Sequence, residues 1–82
     1  MGKRVGFIGV IIDERGKSVN EVNRVLSEVE DIVVARMGVP YKEKSCCVIT
    51  LVVNATTDEM GALTGKLGEI QGVSIKSALS KM

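Results

Sequence analysis

A chain of 82 residues with eleven basic and ten acidic side chains, net charge +1, has room for one hydrophobic core and shows no electrostatic footprint for nucleic acid or an anionic membrane. Its 45% hydrophobic and 26% charged content excludes a disordered chain, and one Tyr, one Phe and no Trp exclude a base-stacking platform. The absence of histidine removes the commonest metal ligand and the commonest general base together.

The first apolar run is too short to span a bilayer and has no small-residue cleavage site before Asp13 and Glu14, so it reads as a strand, not a leader. Within it Val5, Phe7, Gly9 and Ile11 alternate with Gly6, Ile8, Val10 and Ile12, and neither set is polar. That pattern predicts an interior strand over Val5 to Ile12. Asp13, Glu14, Arg15, Gly16 and Lys17 break it and form a loop. Ser18 and Glu21 have the spacing of a capping box and predict a helix start. Val19, Val22, Leu26 and Val29 make its apolar stripe, with Asn20, Glu21, Asn23, Arg24, Ser27 and Glu28 on the wet side.

Asp31 to Val39 is the next predicted strand, stopped by Pro40 and marked as a sheet edge by Arg36, a charge that needs water. The polar turn Pro40 to Lys44 predicts an antiparallel hairpin with the stretch that follows, Ser45 to Ala55. That stretch has no charge at all. Cys47, Ile49, Leu51 and Val53 share one face and Cys46, Val48, Thr50 and Val52 the other, so this strand wants cover on both sides and belongs at the sheet centre. The adjacent cysteines point apart and cannot bridge without severe strain; both read as reduced and inert, which points to a cytoplasmic location. Thr56 and Glu59 repeat the capping-box spacing, and Met60, Leu63, Leu67 and Ile70 repeat the helical stripe. Gly72 ends this helix, and Val73 to Ser80 alternate as a last strand, with Lys76 marking a second edge.

The order β-α-β-β-α-β predicts an α+β ferredoxin-like sandwich over residues 1–82, a four-stranded antiparallel sheet with two helices on one face. Right-handed crossovers put the first and third strands in the middle, as the charge pattern also requires. The sheet face away from the helices keeps apolar side chains, so a homo-oligomer, dimer or tetramer, is expected.

Chemistry-bearing motifs are scarce: there is no Cys-x-x-Cys, no Gly-x-Gly-x-x-Gly and no Walker sequence, and we expect no cofactor, no metal and no catalytic residue. The loop of Asp13, Glu14, Arg15, Gly16, Lys17 and Ser18 reads either as solvated or as an effector site, where helix-start amides with Arg15 and Lys17 could hold a small anion or zwitterion. Gly61, Gly65 and Gly68 fall on the side of the second helix away from its apolar stripe. Each costs roughly 1 kcal/mol relative to Ala, so a neighbouring subunit or a ligand comes close to that backbone, or the helix is irregular.

With Asp13-Glu14-Arg15, the run Arg-Met-Gly-Val-Pro at 36–40 and the run Gly-Ala-Leu-Thr-Gly-Lys-Leu-Gly-Glu-Ile-Gln-Gly-Val at 61–73, the chain resembles the iron-only hydrogenase system regulators over nearly its whole length. That family is similar to a stand-alone ACT-like domain and to the ligand-binding half of nickel-responsive repressors. The resemblance implies a regulator of that hydrogenase system, with an effector held between subunits near the first strand-to-helix loop, Asp13 to Ser18. The nickel-responsive relatives use histidines for metal and a separate segment for DNA. Neither is found here, so a regulatory protein partner is expected in place of direct nucleic-acid contact.

The preferred expectation is a non-enzymatic regulatory domain with a small, unidentified effector at a subunit interface. One alternative is an interaction adaptor without a ligand, docking a larger protein on its bare sheet face. Another is acylphosphatase-like chemistry using Arg15, although Asn54 closes the third strand where that chemistry would want an Asn beside the second.

Overall fold

The structure, a computed structural model, describes residues 2–13 and 18–82. Strand β1 (Arg4–Asp13) leads to helix α1 (Val19–Ser27), strands β2 (Val33–Tyr41) and β3 (Cys46–Ala55), helix α2 (Thr57–Gly68) and strand β4 (Val73–Leu79). The sheet order is β2-β3-β1-β4 and every pairing is antiparallel, so the two strands with no charge between their ends lie inside and the two marked by Arg36 and Lys76 lie at the edges. This is the expected ferredoxin-like arrangement.

One face of the sheet is closed by the helices. Ile8, Val10 and Ile12 of β1 and Ile49, Leu51, Val53 and Ala55 of β3 are buried against Val22, Val25 and Leu26 of α1 and Met60, Leu63 and Leu67 of α2. Val25 was not part of the predicted stripe; it broadens the apolar face of α1 toward α2. Val29 and Ile70, by contrast, lie beyond the helix ends, yet both remain packed on the core.

Three local expectations need correction. Pro40 does not stop β2: the strand continues to Tyr41, with Pro40 opposite Cys47. An edge strand tolerates proline because its missing N–H costs no ladder bond when it faces outward. The strand also begins later than Asp31, because Glu30–Ile32 form a turn of 3-10 helix and the register slips between Val33 and Ala35, leaving Val34 bulged and exposed. The third concerns Ser18. Its side chain makes no cap bond; the hydroxyl instead donates to the Gln71 carbonyl oxygen at 2.5 Å.

Thr56 does what Ser18 does not. Its backbone is extended (φ −75, ψ 165), so its hydroxyl accepts from the Glu59 amide at 3.0 Å while the Glu59 carboxylate accepts from the Thr56 amide at 2.9 Å. Ser18 has helix-like angles (φ −88, ψ −1), which carry its side chain elsewhere. The bond from Thr56, aided by the Lys3 ammonium 3.4 Å away, holds the Glu59 carboxyl below its ordinary value of 4.5. The folded value being the lower one, this contribution is complete above about 4.5 and disappears as pH falls through the folded value. Thr56→Ala is expected to cost about 1 kcal/mol at neutral pH. Thermal melts of wild type and Glu59→Gln should differ at pH 7 and converge in acid, and a difference that widened in acid would contradict this.

Candidate functional site

The chain enters the predicted effector loop from the end of β1 and leaves it into α1, so Asp13 and Ser18 are its two posts. Glu14, Arg15, Gly16 and Lys17 lie outside the described residues. Both posts are tied to one corner, the turn between α2 and β4. The Asp13 amide donates to the Gly72 carbonyl at 2.9 Å, and the Ser18 hydroxyl donates to the carbonyl of the residue before it, Gln71. Gly72 has φ +82, and a side chain there would meet Asp13 Cβ at 3.7 Å and Ser18 Oγ at 3.8 Å. Positive φ is what makes glycine the fitting residue at this corner. Ser18 is buried, an unusual setting for a serine that its bond to Gln71 explains.

The same end of the sheet carries Cys46, paired with Asp13 on one side and with Tyr41 on the other. Cys46 and Cys47 are free thiols, both half-buried, on opposite faces as their adjacency requires. Gln71 and Gly72 escaped the sequence reading because they act through main-chain carbonyls, which no side-chain pattern advertises. The one signal was Gly72, expected to end the second helix; the helix ends earlier, at Gly68, and Gly72 instead shapes the turn into β4.

Gly61 and Gly65 lie on α2 with open space where a side chain would stand, and a side chain at Gly68 would meet Ile75 Cδ1 of β4 at 3.8 Å, an ordinary contact. Nothing in the described residues therefore requires glycine at 61 or 65. A cleft of about 240 Å³ lies elsewhere, between α1 and β2, lined by Asn23, Leu26, Ser27, Glu30, Val33, Arg36 and Leu51. Two of its lining residues are joined, Arg36 donating to Asn23 Oδ1. The edge charge thus reaches water, as expected, while its guanidinium also ties β2 to α1.

Asn54 is far from Asp13, where the loop begins. It pairs with Val5, eight residues before Asp13 on β1, which is roughly 26 Å at about 3.3 Å per residue. An acylphosphatase-like partnership of Arg15 with Asn54 would need Asn54 at the other end of the strand. Among the described residues no three His, Cys, Asp or Glu side chains gather as a metal site, and no helix is long and apolar enough to cross a membrane.

The family model described as "TM1266-like: Iron-only hydrogenase system regulator, putative" matches residues 4–77, from the first residue of β1 into β4. The solved structure of uncharacterized protein TM1266 from Thermotoga maritima is similar with a TM-score of 0.92 and 34% identity, over 96% of this chain and 99% of that one. A functionally unknown protein from Pediococcus pentosaceus ATCC 25745 gives a TM-score of 0.63 at 7% identity, over 100% of this chain and 96% of its own, a likeness of fold alone. No curated protein matches. On the family match and the one-third identity to TM1266, the chain belongs to the TM1266-like family of iron-only hydrogenase system regulators.

Proposed function

We propose that the protein is a non-catalytic regulator of the iron-only hydrogenase system, which assembles with copies of itself and binds a small effector at the β1–α1 corner, between subunits. Family membership supports the regulatory role. The observation that carries the location is the double tie of Asp13 and Ser18 to the Gln71–Gly72 turn. A ligand bound between two fixed posts need not disturb the sheet, and the α2–β4 turn that holds both posts would pass a change in them to the edge strand β4. Binding shifts the balance of assembled or partner-bound states only to the extent that the effector prefers one of them.

The absence of histidine supports a role other than catalysis. In this reading Asp13 to Ser18 contact the effector, the glycine side of α2 at Gly61, Gly65 and Gly68 lies against another subunit, and contact with transcription runs through a protein partner. The apolar, uncovered sheet face supports a second reading, an adaptor that docks a larger protein there and needs no ligand.

Isothermal titration with amino acids and divalent cations tests the first reading. We expect heat with at least one candidate and a loss of affinity of tenfold or more in Arg15→Ala and Asp13→Ala. No heat with any candidate, from a folded and assembled protein, overturns effector binding and leaves the adaptor.

A further inference from the structure

The sheet face away from the helices is formed by Val5, Phe7, Gly9 and Ile11 of β1, the Val48, Thr50 and Val52 row of β3, Ala35 to Tyr41 of β2 at alternate positions, and Ser74, Lys76 and Ala78 of β4. Phe7 is 54% exposed there, with Val5 and Ile11 close behind at 47% and 49%. The described part of the face has few charges: Lys76 sits on an edge strand, where its ammonium can reach water past the rim, and Asp13 ends β1.

Two glycines on β1 face opposite sides of the sheet. Gly6 points to the helix side, and a side chain there would collide with the Ala78 carbonyl oxygen at 2.4 Å, so the chain itself demands glycine. Gly9 points to the open side, and a side chain there would meet only the Lys76 carbonyl oxygen at 3.8 Å, an ordinary contact. The protein's own fold gives no reason for Gly9, and a glycine inside a strand weakens it by roughly 0.5–1 kcal/mol relative to alanine. Its effect is a notch in the open face, two residues from the protruding ring of Phe7. A knob and a hole side by side on one strand are self-complementary. A two-fold axis near Ile8 would place each copy's Phe7 over the other's Gly9, as an isologous interface requires.

The face is large enough. Four strands roughly 4.8 Å apart and about 25–30 Å long give on the order of 500 Å² in projection. Side-chain relief raises the accessible area toward the roughly 800 Å² per partner of a standard interface. We propose that this face is covered by the same face of a second copy, the two sheets lying about 10 Å apart with strands roughly aligned, and Phe7 of each seated in the Gly9 notch of the other. This rests on the assembly reading above and names the surface that assembly uses. The face lies on the side of the sheet opposite α2, so both surfaces would serve together in an assembly larger than a dimer.

Light scattering on size-exclusion fractions tests it with Phe7→Ala, which removes the knob, and Gly9→Val, which fills the hole. We expect an oligomeric wild type and at least tenfold weaker association in each variant, with circular dichroism unchanged. For Gly9→Val the melting temperature of the dissociated form should be equal or higher, since valine favours a strand. If one variant does not fold, the other decides. An oligomeric wild type whose folded variants associate as tightly overturns this interface and leaves assembly standing; a monomeric wild type overturns both.

Discussion

Gly6→Ala is expected to destabilise the protein by about 2–3 kcal/mol, the upper part of the range for forcing atoms into a filled interior. The added methyl would stand 2.4 Å from the Ala78 carbonyl oxygen and 2.8 Å from Leu79 Cδ1. The first of these is backbone, paired in the ladder between β1 and β4, so relief requires moving β4 as a whole. In a chain of this size that loss lowers the melting temperature by roughly 10–20 °C. Thermal denaturation of the dissociated chains followed by circular dichroism measures it, with Gly9→Ala on the same strand as a control that should cost no stability within the chain. A Gly6→Ala protein melting within a few degrees of wild type would contradict the close approach of β4.

Leu51→Ala should cost still more, about 2–5 kcal/mol, because a fully buried leucine leaves a cavity that its neighbours fill only in part. Leu51 stands in β3 between Ile8 of β1 and Arg36 of β2, with no exposed surface, on the side where Leu26 of α1 closes the core. Small domains have about 5–15 kcal/mol to lose, so urea titration should show a midpoint lowered by a large fraction. Its neighbour supplies the contrast. Val52 faces the open side and is 39% exposed, so Val52→Ala should leave the urea midpoint of the dissociated chain nearly unchanged and weaken association. Equal losses of stability at both positions would mean that the sheet is covered alike on its two sides.

That contrast was readable before any coordinates, because period-two alternation assigned Leu51 and Val52 to opposite faces and two helices cannot cover both. The strand order was equally legible: an uncharged strand needs neighbours on both sides, and Arg36 and Lys76 need an edge. What misled was local. Pro40 reads as a stop only if the strand is interior, and β2 is an edge. Ser18 has the right spacing from Glu21, yet spacing does not report backbone angles, and its hydroxyl finds a carbonyl 53 positions along the chain. Of the candidate loop, only the position of its two ends was legible. Asp13 and Ser18 were placed at a strand-to-helix corner, and the structure puts them there. The Gln71–Gly72 turn that ties them down works through its backbone, so no side-chain motif could have named it. The glycines of α2 and Gly9 look alike in sequence to Gly6 and Gly72, and only the space around each distinguishes a residue the chain needs from one that leaves room for something else.

In the function proposed above the molecule works as an assembly, with one sheet face left for another copy of itself. Sedimentation equilibrium of the wild-type protein across a hundredfold range of concentration tests it most directly. The expected mass is at least twice the 8.8 kDa of the chain, falling toward that value only on dilution. A single 8.8 kDa species at every concentration would contradict it.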